Sequence, residues 1–157
     1  MKQSAPVPAL RQLVFTAKDV RAAFEQALER AGGSLGVWIV LNAVSDVGFV
    51  NHRILATHAH VDGATITHHV DRAEKLGLVV REVDPDDRRM KRLKLTPEGV
   101  ELHEKLLVEV QALATQALAG VSERELAQLA RTLEKIHANI QSTPVPGTGL
   151  SRNAPKG

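Results

Sequence analysis

A mainly α-helical chain carrying one short antiparallel hairpin, an α+β arrangement, is what this 157-residue sequence predicts. Three features carry the expectation. Apolar residues recur at helical spacing over most of the chain, two Val- and Leu-rich runs flank an Asp-Pro-Asp-Asp turn, and glycines stand just past the ends of helical patterns. A hydrophobic content of 43% suits one globular domain with long helices.

In chain order, Pro8 to Arg30 reads as a helix with Leu10, Leu13, Val14, Ala17, Val20, Phe24 and Leu28 along one stripe. Gly32-Gly33 ends it and Ser34 caps the next. Leu35 to Val47 is apolar nearly all round, which marks it as the buried centre of the fold, and Trp38, the sole tryptophan, is expected to pack in that core. Asn51 to Ala59 reads as a short helix, with Ile54, Leu55 and Ala59 apolar, and His60-Val61 as a turn. A further helix from Asp62 to Leu76 buries Ile66, Val70 and Ala73, with Asp62 as N-cap and Gly77 as its left-handed stop. Two short helices joined by a tight turn form a helix-turn-helix.

Leu78 to Val83, the turn from Asp84, and Lys91 to Leu95 then predict a β-hairpin, Leu93 and Leu95 alternating with Arg92 and Lys94. Its tip and return strand hold Arg88, Arg89, Lys91, Arg92 and Lys94, five cations in seven residues. Thr96 caps a helix that begins at Pro97, favoured there because its missing N–H is not needed, and runs to about Ala119. Leu106, Leu107, Val110, Leu113 and Leu118 line it. Gly120 breaks it, and Ser122 with Glu125 forms a capping box for a last helix whose Leu126, Leu129, Leu133, Ile136 and Ile140 make a helix-packing seam. The Pro- and Gly-rich stretch from Ser142 has little to bury and is expected to be a flexible tail.

The helix after Asp62 has the chemistry to read DNA. Its outward face holds Ala64, His68, Arg72 and Lys75, with Thr65 and Thr67 at the flanks: small and polar near the start, cationic later. Small residues let a helix end approach base edges in the major groove, where hydroxyl and imidazole groups can bond and a thymine methyl can pack on Ala or Thr. A cationic hairpin beside it suits the phosphate backbone or the adjacent minor groove. Thr65, Thr67, His68 and Ala64 are therefore assigned to bases, and Arg72, Lys75, Arg88, Lys91 and Arg92 to phosphates. The net charge of only +2 means that affinity must come from this local clustering.

The run Val70-Asp71-Arg72, Glu74-Lys75, Gly77-Leu78-Val79, then Asp84-Pro85-x-Asp87-Arg88-Arg89 and Leu95-Thr96 with Gly99, resembles the multiple-antibiotic-resistance regulator (MarR) family of bacterial winged-helix repressors. The resemblance spans residues 10 to 141. It implies a winged helix-turn-helix with a two-stranded wing, and a homodimer bound to a pseudo-palindromic operator in double-stranded DNA, often released by a small aromatic effector. Carried over, Arg89 is the wing-tip arginine of the minor groove, Asp87 the acid that holds it, and Arg88 lies beside phosphate. The chain departs from the family at His68, where Arg is common, and at Ala73, where Leu is common. The second departure implies looser packing under the reading helix.

The corresponding organisation is a dimerisation helix over 1–33, the winged DNA-binding region over 34–96, dimerisation helices over 97–141 and the tail over 142–157. The long helices carry more apolar surface than a small winged core can cover, which is the argument from the residues for a dimer. Between Pro97 and Gln141 seven glutamates face four Lys or Arg, so that end is acidic while the wing is basic.

Zero cysteines exclude a thiol switch, disulfides and Cys-ligated zinc. His58-x-His60 and His68-His69 lack the spacing that converges ligands on a helix, so neither metal nor cofactor is expected. No nucleophile elbow, phosphate-cradling loop or HExxH points to an enzyme. Without a leader or a long apolar run, the protein is expected in the cytoplasm, off the membrane. Two other readings are a winged module that binds protein partners and a metal-responsive regulator.

Overall fold

The computed structural model describes residues 6–47, 55, 62–84 and 91–142. It divides into two compact units, 1–117 and 118–157. The first holds α1 (Pro6–Arg30), α2 (Leu35–Val47), α3 (Gly63–Lys75), β1 (Val79–Val83), β2 (Lys91–Leu95) and α4 (Pro97–Ala117); the second holds α5 (Glu123–Ser142). Every element expected within the described residues is present, with ends shifted by two residues or fewer at most termini. The helix expected over 51–59, the turn at 60–61, the hairpin tip at 85–90 and the tail beyond 142 lie outside the described residues. Ser142, expected to open the tail, instead closes α5, its hydroxyl donating to the Asn139 carbonyl at 3.0 Å.

The core of the first unit is built around α2. Val37, Val40, Leu41, Ala43 and Val44 are buried, as an all-round apolar helix requires, and receive Leu28 from α1, Ile66, Val70 and Ala73 from α3, Leu78, Val79 and Leu93 from the hairpin, Leu106 from α4, and also Leu55. Two glycines let backbones come this close. A Cβ on Gly36 would lie 2.4 Å from Nδ1 of His69, so α3 lays a ring directly on the backbone of α2. A Cβ on Gly99 would lie 2.0 Å from the Leu78 carbonyl oxygen, which seats the first turn of α4 against the base of the hairpin.

That junction is closed by Thr96. Its N–H donates to the Leu78 carbonyl at 3.0 Å, its hydroxyl donates to the Gly77 carbonyl at 2.6 Å, and the same oxygen accepts the Gly99 N–H at 3.0 Å. The end of α3, the hairpin and the start of α4 are thus one hydrogen-bonded node.

α1 follows its expected stripe only in part. Leu28 is buried and Phe24 half-buried, but toward the start Leu10, Val14 and Val20 are 55%, 59% and 52% exposed. In the second unit the capping box forms as expected: Glu125 accepts the Ser122 N–H at 2.8 Å and the Ser122 hydroxyl accepts the Glu125 N–H at 3.4 Å. No residue of α5 is buried, and Leu129, Leu133 and Ile140 on its seam are exposed. No helix among the described residues is long and apolar enough to cross a membrane.

Trp38 is half-buried where α1, α2 and α4 meet. Phe24 meets it edge-on at 6.0 Å between ring centroids, and His103 stacks on it at 5.6 Å. Nε2 of His103 lies 3.4 Å from Oδ1 of Asn42. Burial pushes the His103 imidazole below its ordinary range, against the opposing pull of Asp46 and Glu104; burial does the same to His69, helped by the charges of His68 and Arg72. The unfolded chain therefore takes up these protons first as pH falls through about 6.5. Stability declines from there until the folded imidazoles are themselves protonated, and below that it stays reduced but changes no further on their account. Thermal melts followed by Trp38 emission are expected to show a midpoint that drops between pH 7.5 and 5.5, with a shallower drop for His103→Gln. An equal slope in the variant would show that His103 does not contribute.

Candidate nucleic-acid interface

α3 is started by a carboxylate. Asp62 has extended backbone, φ −70° and ψ 161°, and its Oδ1 accepts the Thr65 N–H at 2.9 Å while Oδ2 accepts the Thr65 hydroxyl at 2.8 Å. The Thr65 N–H, and then its hydroxyl, hold the Asp62 carboxyl below the usual carboxylate range. At the other end Gly77, φ 71°, donates to the Glu74 carbonyl at 2.9 Å and Leu78 to the Ala73 carbonyl at 3.0 Å, the paired bonds of a Schellman stop. Both ends of the helix are therefore defined, and its buried stripe of Ile66, Val70 and Ala73 fixes its rotation. Ala73 is fully buried, so the smaller side chain there still faces the core.

The opposite face carries the residues assigned to DNA. Ala64, Thr67, His68, Arg72 and Lys75 are exposed and Thr65 is half-buried. One aspect was not legible from residue types. The Thr65 hydroxyl hydrogen is engaged by Asp62, and that of Thr67 by the Gly63 carbonyl at 2.8 Å. With their hydrogens engaged, these two hydroxyls are left with an acceptor oxygen, which suits a base amino group.

In the hairpin Val79 pairs with Leu95, Arg81 with Leu93 and Val83 with Lys91, antiparallel. Val79 and Leu93 are buried on one face, while Glu82 and Lys94 stand exposed on the other with 3.8 Å between their charged groups. Lys91 is exposed at the start of β2. Arg92, assigned to phosphate, is half-buried and its Nε donates to the buried carboxylate of Asp84. The pairing uses Arg92 in the frame of the hairpin and bridges its two strands close to the tip. Asp87, Arg88 and Arg89 lie outside the described residues. Two of the return strand's cations, Arg92 and Lys94, are thus met by Asp84 and Glu82, acids that a count of charges in the second strand alone does not see.

Sequence reasoning passed over Arg81. Its guanidinium leaves β1 and reaches α3, with Nη2 2.5 Å from Asp71 Oδ1 and Nη1 3.3 Å from Glu74 Oε2. The available signal was Asp71 and Glu74 at i, i+3 on one flank of the helix, facing a strand position of the right parity. Among the described residues no three His, Asp or Glu side chains come together as a metal site would require.

The MarR family model matches residues 41–91, the stretch from the middle of α2 to the start of β2. CouR of Rhodococcus jostii RHA1, solved with p-coumaroyl-CoA, is 30% identical, with 85% of this chain and 92% of that one covered and a TM-score of 0.75. A MarR-family transcriptional regulator of Rhodococcus sp. RHA1 is 29% identical over 86% of this chain and 96% of its own, at a TM-score of 0.72. A mutant of Escherichia coli MarR, solved with operator DNA, shares the fold at 23% identity and a TM-score of 0.73, over 83% of this chain and 94% of that one. With a capped, outward-facing helix held against a two-stranded wing, and with this likeness running over nearly the whole length of its relatives, the chain belongs to the MarR family of winged-helix transcriptional regulators.

Proposed function

We propose that the protein is a homodimeric repressor that binds a pseudo-palindromic operator through α3 and the wing of each protomer. The observation that carries this is the outward face of α3. Small and polar residues, Ala64, Thr67 and His68, precede the cations Arg72 and Lys75 on a helix whose rotation is fixed by its buried stripe. Thr65, Thr67, His68 and Ala64 would meet bases; Arg72, Lys75, Lys91 and Arg88 would meet phosphates. Arg89 is assigned to the minor groove and Asp87 to holding it, on the family's wing motif. Arg92 is given a supporting part, since Asp84 already takes its guanidinium.

The uncovered apolar residues of α1 and the seam of α5 support the dimer. A helix with its apolar side in water loses about 25 cal/mol for each Å² left uncovered, and a second copy is the partner always at hand. The relatives support both ligands of the proposal: one was solved with operator DNA and one with an aromatic acyl thioester. Release by a small aromatic effector follows if that molecule binds one spacing of the two wings better than the other.

In sedimentation the 17.0 kDa chain is expected at twice its mass, and a monomer at micromolar concentration would contradict the dimer. The DNA assignment is tested by titrating binding to the region upstream of the protein's own gene, and to unrelated duplex of equal length, against salt. Arg89→Ala is expected to weaken the operator far more than unrelated DNA. Lys91→Ala is expected to weaken both about equally and to lower the salt slope by about one. Identical sequence preference in the two variants would contradict these roles, and salt-insensitive binding or none would favour a protein-interaction module.

A further inference from the structure

We propose that Arg81 is a positioning residue for DNA selectivity: its guanidinium clamps the wing to one flank of the reading helix without touching DNA. The inference rests on the DNA-reading role proposed for α3. Arg81 stands on β1, opposite Leu93 in the ladder, so it shares the inner face of the hairpin with buried Val79. From there its two terminal nitrogens divide between two carboxylates one helical turn apart, Asp71 at 2.5 Å and Glu74 at 3.3 Å.

A planar guanidinium shared by two carboxylates restrains direction as well as distance. Asp71 and Glu74 continue the flank that begins with Thr67, at i, i+4 and i+7, between the buried stripe and the outward face of α3. The buried stripe fixes the rotation of α3, and a restraint on that flank ties the outward face so fixed to the hairpin. It also sets the wing relative to the helix, because the same guanidinium is carried by β1. The hairpin is otherwise held by the node at Gly77, Leu78 and Thr96 at its base and by Val79 and Leu93, which sit in the core with Ile66 and Val70. Arg81 adds a polar attachment to the flank of α3, and a guanidinium on two carboxylates fixes a direction that apolar contact leaves less defined.

The clamp has an electrostatic side. Asp71 and Glu74 alternate with Arg72 and Lys75 along the helix, so the two acids stand near the cations assigned to phosphate. Arg81 offsets their charge on the approach to DNA. Since all three side chains are partly open to water, the pairs contribute little to folding, and their effect is expected in selectivity.

The test starts from duplexes selected by the wild-type protein from a random pool. It compares affinity for a selected duplex and for an unrelated one across a salt series, for wild type, Arg81→Ala and the double variant Asp71→Asn with Glu74→Gln. Both variants are expected to lose selectivity by about tenfold or more, the effect of putting one base contact out of reach. The salt slope of Arg81→Ala should stay that of wild type. A merely destabilised protein would lose both affinities together and keep their ratio. If Arg81 binds phosphate instead, its loss would lower the slope by about one while the double variant kept full selectivity, and the clamp would be wrong. An unchanged ratio in Arg81→Ala would equally overturn it. A wild-type protein that enriches no duplex would overturn the DNA-reading role itself, and the clamp with it.

Discussion

The seating of α3 on α2 is the constraint on which the rest depends. Ile66, Val70 and Ala73 are buried against a helix that is itself buried on nearly every side, and His69 lies on the backbone at Gly36, where no side chain could be accommodated without displacement. Side chains the size of Ile66 and Val70 contribute about 1.5–3 kcal/mol each on burial, so the helix is not free to roll. Once the inward stripe is fixed, helical periodicity dictates that Ala64, His68, Arg72 and Lys75 face out. Surface chemistry is thus set from inside.

Around that seat the hairpin is oriented by polar interactions of two kinds. At its base, Thr96, Gly77 and Leu78 exchange hydrogen bonds while Gly99 lets α4 come within contact of the Leu78 carbonyl. Further out, Arg92 on Asp84 ties strand to strand, and Arg81 on Asp71 and Glu74 ties strand to helix. Exposed ion pairs such as those of Arg81 add little to stability, but they define direction where the apolar core has already run out. The basic character of the wing is therefore tempered: part of its positive charge is internal to the structure.

Much of this was legible in the sequence because it depends on local rules. Asp62 before a helical pattern, Gly77 after it, and Ser122 three residues ahead of Glu125 each declare a helix end, and each end is where those residues put it. The existence of the hairpin followed from alternation of Leu93 and Leu95 with their charged neighbours. What periodicity could not show were long-range pairings. The pairing of Arg92 with Asp84 spans eight residues and that of Arg81 reaches a different element, so neither follows from local pattern. The hydroxyls of Thr65 and Thr67, able by residue type to donate or accept, have their hydrogens taken by local cap and backbone acceptors. For α1 the apolar stripe exceeds what the core of its own chain covers, as the surplus of apolar helical surface implied, and its buried part is the C-terminal one.

The most direct measurement is a hydroxyl-radical footprint of the wild-type protein on a duplex that it has itself selected. Two equivalent protected patches related by two-fold symmetry are predicted, their centres about 10 bp or a small multiple apart, as two reading helices in successive grooves require. A single patch without symmetry, or uniform protection along the duplex, would contradict the account.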